Sequence, residues 1–125
     1  RLHKVADKMH RGEHLPLVTT DALMGDAIVL ISQKGFGCVG VLDESDHLVG
    51  IVTDGDLRRH MNPQLLQQPV GEVMTLNPTT VEGGLLMTEA LALMNHKKIT
   101  ALFVVENNAP IGIIHIHDFL RAGIV

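Results

Sequence analysis

The sequence predicts an α+β fold: two tandem β-α-β-β-α repeats packed on each other with pseudo-twofold symmetry. Three observations carry this. The first is an internal repeat. Gly50-Ile51-Val52-Thr53-Asp54-Gly55-Asp56-Leu57-Arg58-Arg59 returns 62 positions later as Gly112-Ile113-Ile114-His115-Ile116-His117-Asp118-Phe119-Leu120-Arg121. Gly, Ile, Asp and Arg recur in register, and Val52/Ile114 and Leu57/Phe119 keep apolar character. A fixed-period repeat decides the architecture before any local reading does. The second is that the same order of predicted elements occurs twice. The third is supply: 46% of the 125 residues are hydrophobic and 19% charged, enough for a core and unlike a disordered chain. One β-α-β-β-α unit cannot bury both faces of its small sheet, so pairing two, with a cleft along the seam, is the expected solution.

The elements follow in order. Arg1 to His14 is polar, with Val5 and Met9 spaced as on one helical turn. Pro16 holds Leu15 extended, which predicts a short strand over 15–18. Asp21 is placed to cap a helix over 22–34, whose Leu23, Met24, Ala27, Ile28 and Ile31 fit a 3.6-residue period. Gly35 and Gly37 end it. Residues 38–42 form a strand, Asp43-Glu44-Ser45-Asp46 a turn, 47–52 a strand and 54–61 a helix stopped by Asn62-Pro63. Gln64 to Gly71 is a linker. Val70 and Met74 then match Val5 and Met9, and Pro78 matches Pro16. Leu86, Ala90, Leu93 and Met94 mark the second amphipathic helix. Strands over 101–105 and 111–115 flank a turn at 106–110, and a helix covers 116–121. The offset is 65 before the prolines and 62 after them, so the first copy carries three extra residues near Arg11-Gly12-Glu13-His14. The repeats divide as 1–63 and 64–125.

Composition narrows the function. A net charge of −4 gives no electrostatic footprint for nucleic acid, and three Phe with no Tyr or Trp supply no base-stacking platform. Cys38 stands alone in an apolar strand, so neither a disulfide framework nor a thiolate metal site is expected, and its thiol reads as buried and inert. No apolar run approaches the ~20 residues that span a membrane. The chain begins at Arg1 without a signal peptide, which suggests an excised part of a longer, cytoplasmic protein.

The chemistry-bearing residues cluster where each repeat turns from strand to helix. Thr53 and Asp56 have capping-box spacing. In the second copy Asp118 keeps the carboxylate while His115 replaces the threonine, and an imidazole is not expected to reproduce the compact hydroxyl cap. His115-x-His117-Asp118 hints at a metal, but a helix beginning between the two histidines spoils a shared face, and zinc needs three or four converging ligands. No metal is expected. Arg58, Arg59 and Arg121 read as solvated charge or as phosphate contacts. His3, His10 and His14 read as surface residues.

Two β-α-β-β-α copies, each ending in Gly-aliphatic-aliphatic-x-x-x-Asp-apolar, resemble a CBS-domain pair, or Bateman module. The run 5–13 and the ending 117–125 further resemble the C-terminal CBS pair of the bacterial arabinose-5-phosphate isomerases, sugar isomerases that feed Kdo and lipopolysaccharide or capsule synthesis. The resemblance implies that catalysis belongs to an upstream sugar-isomerase domain, the partner of this chain, and that the chain itself is regulatory and not an enzyme. It also implies a nucleotide in the interdomain cleft, with the Asp of each motif on the ribose hydroxyls, as a carboxylate binds ribose in dinucleotide folds. Thr53, Asp54, Asp56, Arg59, His115, His117 and Asp118 are then the candidate ligand residues. The family at large suggests AMP or ATP. Pathway logic suggests CMP-Kdo, whose ribose suits Asp56 or Asp118. No catalytic cofactor is required. Family habit implies a dimer of CBS pairs. The alternative is a ligand-free module that only mediates oligomerisation.

Overall fold

The computed structural model describes residues 2–124. In chain order the elements are α1 (Val5–Lys8), β1 (Leu17–Thr19), α2 (Met24–Lys34), β2 (Cys38–Leu42), β3 (Leu48–Thr53), α3 (Asp54–Arg59), α4 (Val70–Val73), β4 (Thr75–Leu76), β5 (Thr80–Val81), α5 (Met87–Lys97), β6 (Ala101–Glu106), β7 (Ala109–His115) and α6 (Ile116–Arg121). Short 3-10 turns lie at Gly12–His14 and Leu65–Gln67. The fold is α+β, and both copies run strand, helix, strand, strand, helix. The extra residues of the first copy form the Gly12–His14 turn, with Gly12 in the left-handed region at φ 59°.

The compact units do not divide at 63/64. Pro16–Pro78 forms one unit, the inner unit. The residues up to Leu15 join those from Thr79 onward in the other, the outer unit. Arg1 and Val125, the outer ends of the repeats as divided by sequence, lie outside the described residues. The backbone shows how each leading turn is held. Val5 N–H donates to the Leu85 carbonyl at 2.8 Å and Ala6 N–H to Gly83 at 2.9 Å, while Met87 N–H reaches His3 at 2.8 Å. In the inner unit, Val70 N–H donates to Ala22 and Gly71 N–H to Thr20, both at 2.8 Å, and Met24 N–H reaches Gln68 at 2.9 Å. So α1 docks on the second sequence repeat and α4 on the first.

The inner sheet has the order β1-β2-β3-β4, with β1 parallel to β2 and the other pairs antiparallel. Its core comprises Met24 and Ala27 of α2, alternate residues of β2 and β3 (Val39, Val41, Val52), and Leu65, Val70 and Val73 from the segment beyond Pro63. The outer sheet has the order β5-β6-β7, and an isolated antiparallel bridge between His10 and Ile113 takes the place that β4 has in the inner sheet. Val5, Met87, Ala90, Met94, Leu102, Val104, Ile114 and Phe119 fill its core.

Local chemistry explains most boundaries. β2 and α6 have the ends that periodicity predicts. Asp43 Oδ1 accepts from Ser45 and His47 N–H at 2.8 and 2.9 Å and closes the first hairpin turn. Asn107 and Asn108, both at positive φ (50° and 63°), make the tight two-residue turn between β6 and β7. Gly35 ends α2 in the left-handed region at φ 81°. The start of α2 differs from expectation. Asp21 does not cap it but accepts from the Thr19 hydroxyl at 2.6 Å. Leu23 is the N-cap instead, held extended by its antiparallel bridge to Pro69.

Candidate ligand-binding sites

In the inner unit, β3 runs extended through Thr53 (φ −117°, ψ 174°), and α3 begins at the next residue. That junction places Asp56 in the first helical turn with its carboxylate 2% exposed. Oδ2 accepts the Thr53 N–H at 2.9 Å and the Thr53 hydroxyl at 3.2 Å. Oδ1 accepts the Thr75 hydroxyl and the Arg59 guanidinium, both at 2.6 Å. Burial alone would raise the Asp56 pKa, but the bonds from Thr75, Thr53 and Arg59 together outweigh it and hold the carboxyl below its ordinary value.

The outer unit repeats this plan with different donors. Asp118 is 6% exposed. Its Oδ2 accepts the His115 N–H at 2.7 Å, and its Oδ1 accepts His10 Nε2–H at 2.8 Å and a bond from the Arg121 guanidinium. The balance is again burial, which raises, against bonds from His115, His10 and Arg121, which lower and prevail. His115 does cap α6, against the expectation for an imidazole: its Nδ1 accepts the His117 N–H at 3.2 Å. Burial and then the neighbouring His117 push its pKa down, in keeping with a neutral ring that accepts at Nδ1. The His115 and His117 rings meet edge to face with centroids 4.6 Å apart, and His10 lies 6.3 Å from His14. Among the described residues, no group of three or more His, Cys, Asp or Glu side chains is placed to hold a metal ion.

A model of the CBS domain matches residues 5–63 and again 70–124. The chain belongs to the CBS-domain family. Among relatives of this CBS pair, the arabinose 5-phosphate isomerase KdsD of Pseudomonas aeruginosa is 42% identical over 127 residues. That match takes in 99% of this chain but 39% of the isomerase, so the chain spans about two fifths of the relative's length. Among solved structures, the CBS-pair protein CBSX2 of Arabidopsis thaliana superposes with a TM-score of 0.84 at 26% identity, covering 97% of this chain and 94% of that one. CBSX2 in complex with AMP gives 0.82 at 27% identity, covering 97% and 96%.

The structure of the CBS pair brings some of the sequence-selected residues together and separates others. Thr53, Asp56 and Arg59 form one hydrogen-bonded set. His115 and Asp118 form another. Asp54 is exposed at the first position of α3, where its charge helps to raise the Cys38 thiol. His117 is exposed beside the His115 ring. Arg121, grouped in sequence with the solvated arginines, bonds Asp118, whereas Arg58 is exposed. Two members were missed. Thr75 closes the inner set and His10 the outer one; His10, read from sequence as a surface residue, is half-buried with its Nε2 on Asp118. Their signal was present: the 65-residue offset that pairs Met9 with Met74 also pairs His10 with Thr75.

Proposed function

We propose that this CBS pair is the ligand-sensing regulatory part of a D-arabinose 5-phosphate isomerase whose catalytic domain lies upstream. It senses a nucleotide or nucleotide-sugar and reports occupancy to that domain. The observation that carries the reading is the pair of buried, ionised carboxylates, Asp56 and Asp118, each at a strand–helix junction with an arginine three positions on. An ionised carboxylate accepts the two hydroxyls of a ribose, and a guanidinium suits a phosphate. The 42% identity to a KdsD isomerase supports the choice of parent, and the AMP complex of CBSX2 supports the ligand class. Within that class CMP-Kdo, the activated end product of the pathway a parent isomerase would feed, is the feedback ligand we favour over AMP and ATP. The parent would act in the cytoplasm, in the Kdo branch of lipopolysaccharide synthesis. Regulation then requires that the ligand bind two states of the parent with different affinity.

The test is thermal unfolding of the chain with AMP, ATP, CMP and CMP-Kdo in turn. A ligand at about 100 times its Kd adds about 2.7 kcal/mol, several degrees for a chain of this size. A shift that Asp56→Ala or Asp118→Ala abolishes is the expected result. No shift with any of the four would favour a second reading, a module that only assembles the parent. That reading draws on an apolar groove of about 180 Å³ in the outer unit, between α5 and α6, lined by Leu91, Asn95, Ile116, Phe119, Leu120 and Ile124. Sedimentation showing a dimer broken by Leu120→Glu, with no ligand response, would be its signature.

A further inference from the structure

We infer that Arg59 and Arg121 compete with a ligand's vicinal hydroxyls for the same carboxylate oxygens, and so make each site prefer phosphorylated ribosides to neutral ones. The inference rests on the reading of Asp56 and Asp118 as hydroxyl acceptors. A carboxylate offers about four lone-pair positions. At Asp56 four donors use them: Thr53 N–H and hydroxyl on Oδ2, Thr75 hydroxyl and Arg59 on Oδ1. A diol brings two more donors, so it must displace rather than add.

The four donors are not equally fixed. The Thr53 N–H is backbone at the strand–helix junction, and its hydroxyl is on the same residue. Thr75 is held beside Asp56 by the pairing of β4 with β3, where it faces Ile51. Arg59 is the exception: its side chain is long and 65% exposed, so of the four donors it is the one whose head water can take over. Asp118 accepts three donors, so a diol's two exceed the positions left by one, and Arg121, 64% exposed, is freer to leave than His10, 33% exposed. The neighbouring Arg58 becomes Leu120 in the second copy, so the repeat keeps the arginine that touches the carboxylate and not the one beside it.

A neutral riboside therefore gains hydroxyl bonds and loses a charge-assisted one. A riboside 5′-phosphate offers the released guanidinium a new anion that matches its planar fork. Arg59 acts as a specificity residue, with a cost for neutral ligands that phosphate offsets.

The test is titration calorimetry of the full chain and of Arg59→Met, which keeps the apolar stem and removes the donors. The probes are adenosine and cytidine, their 2′-deoxy forms and their 5′-monophosphates. In Arg59→Met the riboside that binds tightens by about three- to tenfold, and its 2′-deoxy form changes by less than about twofold. The preference for the monophosphate over the riboside falls about tenfold. Unchanged or weaker riboside binding in Arg59→Met overturns the competition, while monophosphate binding by the unaltered chain leaves the hydroxyl-acceptor reading standing. If no probe binds either protein, the inference falls, and with no thermal shift from CMP-Kdo or ATP the hydroxyl-acceptor reading falls with it. A measurement on the unaltered chain covers the case in which Arg59→Met misfolds. The side-chain N–H resonance of Arg59 should move when riboside is added, and a resonance that stays put at saturation overturns the inference.

Discussion

A buried carboxylate is ionised only if its hydrogen bonds outweigh the loss of hydration. Asp56 and Asp118 meet that condition, since both titrate below the ordinary carboxylate value. A carboxyl depressed in the folded state contributes stability that is fully present above its unfolded pKa and lost as pH falls through the folded one. Stability should thus hold from neutral pH down to about pH 5 and decline below about pH 4. Asp43 is lowered too, through its turn bonds to His47 and Ser45, so the total acid limb mixes several groups. The difference between the chain and Asp56→Asn isolates one of them: urea unfolding should show a gap of about 2 kcal/mol at pH 7 that narrows toward pH 3. A gap independent of pH would mean that folding does not lower the Asp56 pKa, and a gap that widens toward acid would mean that the fold keeps the carboxyl neutral. Cys38 makes the opposite case. It is 2% exposed, and burial, followed by the charge of Asp54, pushes its thiol up to about 12. Iodoacetamide at pH 8 should leave it unmodified in the folded chain and label it only on global unfolding. Labelling at the rate of a free thiol would contradict the burial. The inert thiol and the Thr53/Asp56 pair were legible in the sequence, because a lone cysteine in an apolar run and a three-residue capping interval are local signals. His10 on Asp118 was legible only by analogy, because 108 residues separate the partners and the repeat offset links His10 to Thr75, not to Asp118.

At the scale of elements, the two copies share a device. Gly50 in β3 lies under Met74, and Gly112 in β7 under Met9. A Cβ on Gly50 would stand 2.5 Å from the Met74 sulfur and 3.2 Å from its Cβ. The glycine thus lets the methionine that follows each leading turn lie flat on the strand. Gly50→Ala should cost about 1–3 kcal/mol by overpacking. Met74→Ala costs a comparable amount by losing contacts. The double variant should be less destabilised than the sum of the two, by about 1 kcal/mol in a double-mutant cycle read by urea unfolding. Strict additivity would show that the two residues do not share the space. Periodicity read the middles of α2 and α5 well and their starts less well. Leu23 and Leu86, the two N-caps, are both extended and engaged in bridges with Pro69 and Lys4. Partners remote in sequence, not propensity, set those ends. β4 and β5 are two residues long, too short for an alternating pattern to register.

At the scale of the molecule, the two sequence repeats are not the two folded units. Sequence similarity divides the chain one way and packing another, by where each leading turn docks, and a turn of four residues carries no sequence label for its destination. The consequence can be tested with fragments. Residues 16–78 contain a four-stranded sheet and the core built on Met24, Val39, Val41 and Val52, together with Leu65, Val70 and Val73. Residues 1–63 lack the last three. Each of these is at most 3% exposed, and burying such a side chain is worth about 1.5–3 kcal/mol. Their joint loss, about 5 kcal/mol or more, equals the whole stability of a small domain. Fragment 16–78 should give a dispersed NMR spectrum and cooperative unfolding, with low stability for its size. Fragment 1–63 should give neither. Fragment 64–125 should fail as well, because it lacks Val5 and the backbone partners that Leu85 and Gly83 find in α1. An equimolar mixture of 1–63 and 64–125 should recover the dispersed spectrum, since each supplies the turn that the other lacks. If 1–63 alone folds as well as 16–78, α4 and the residues before it are dispensable, and the exchange of leading turns is not what holds the inner unit together.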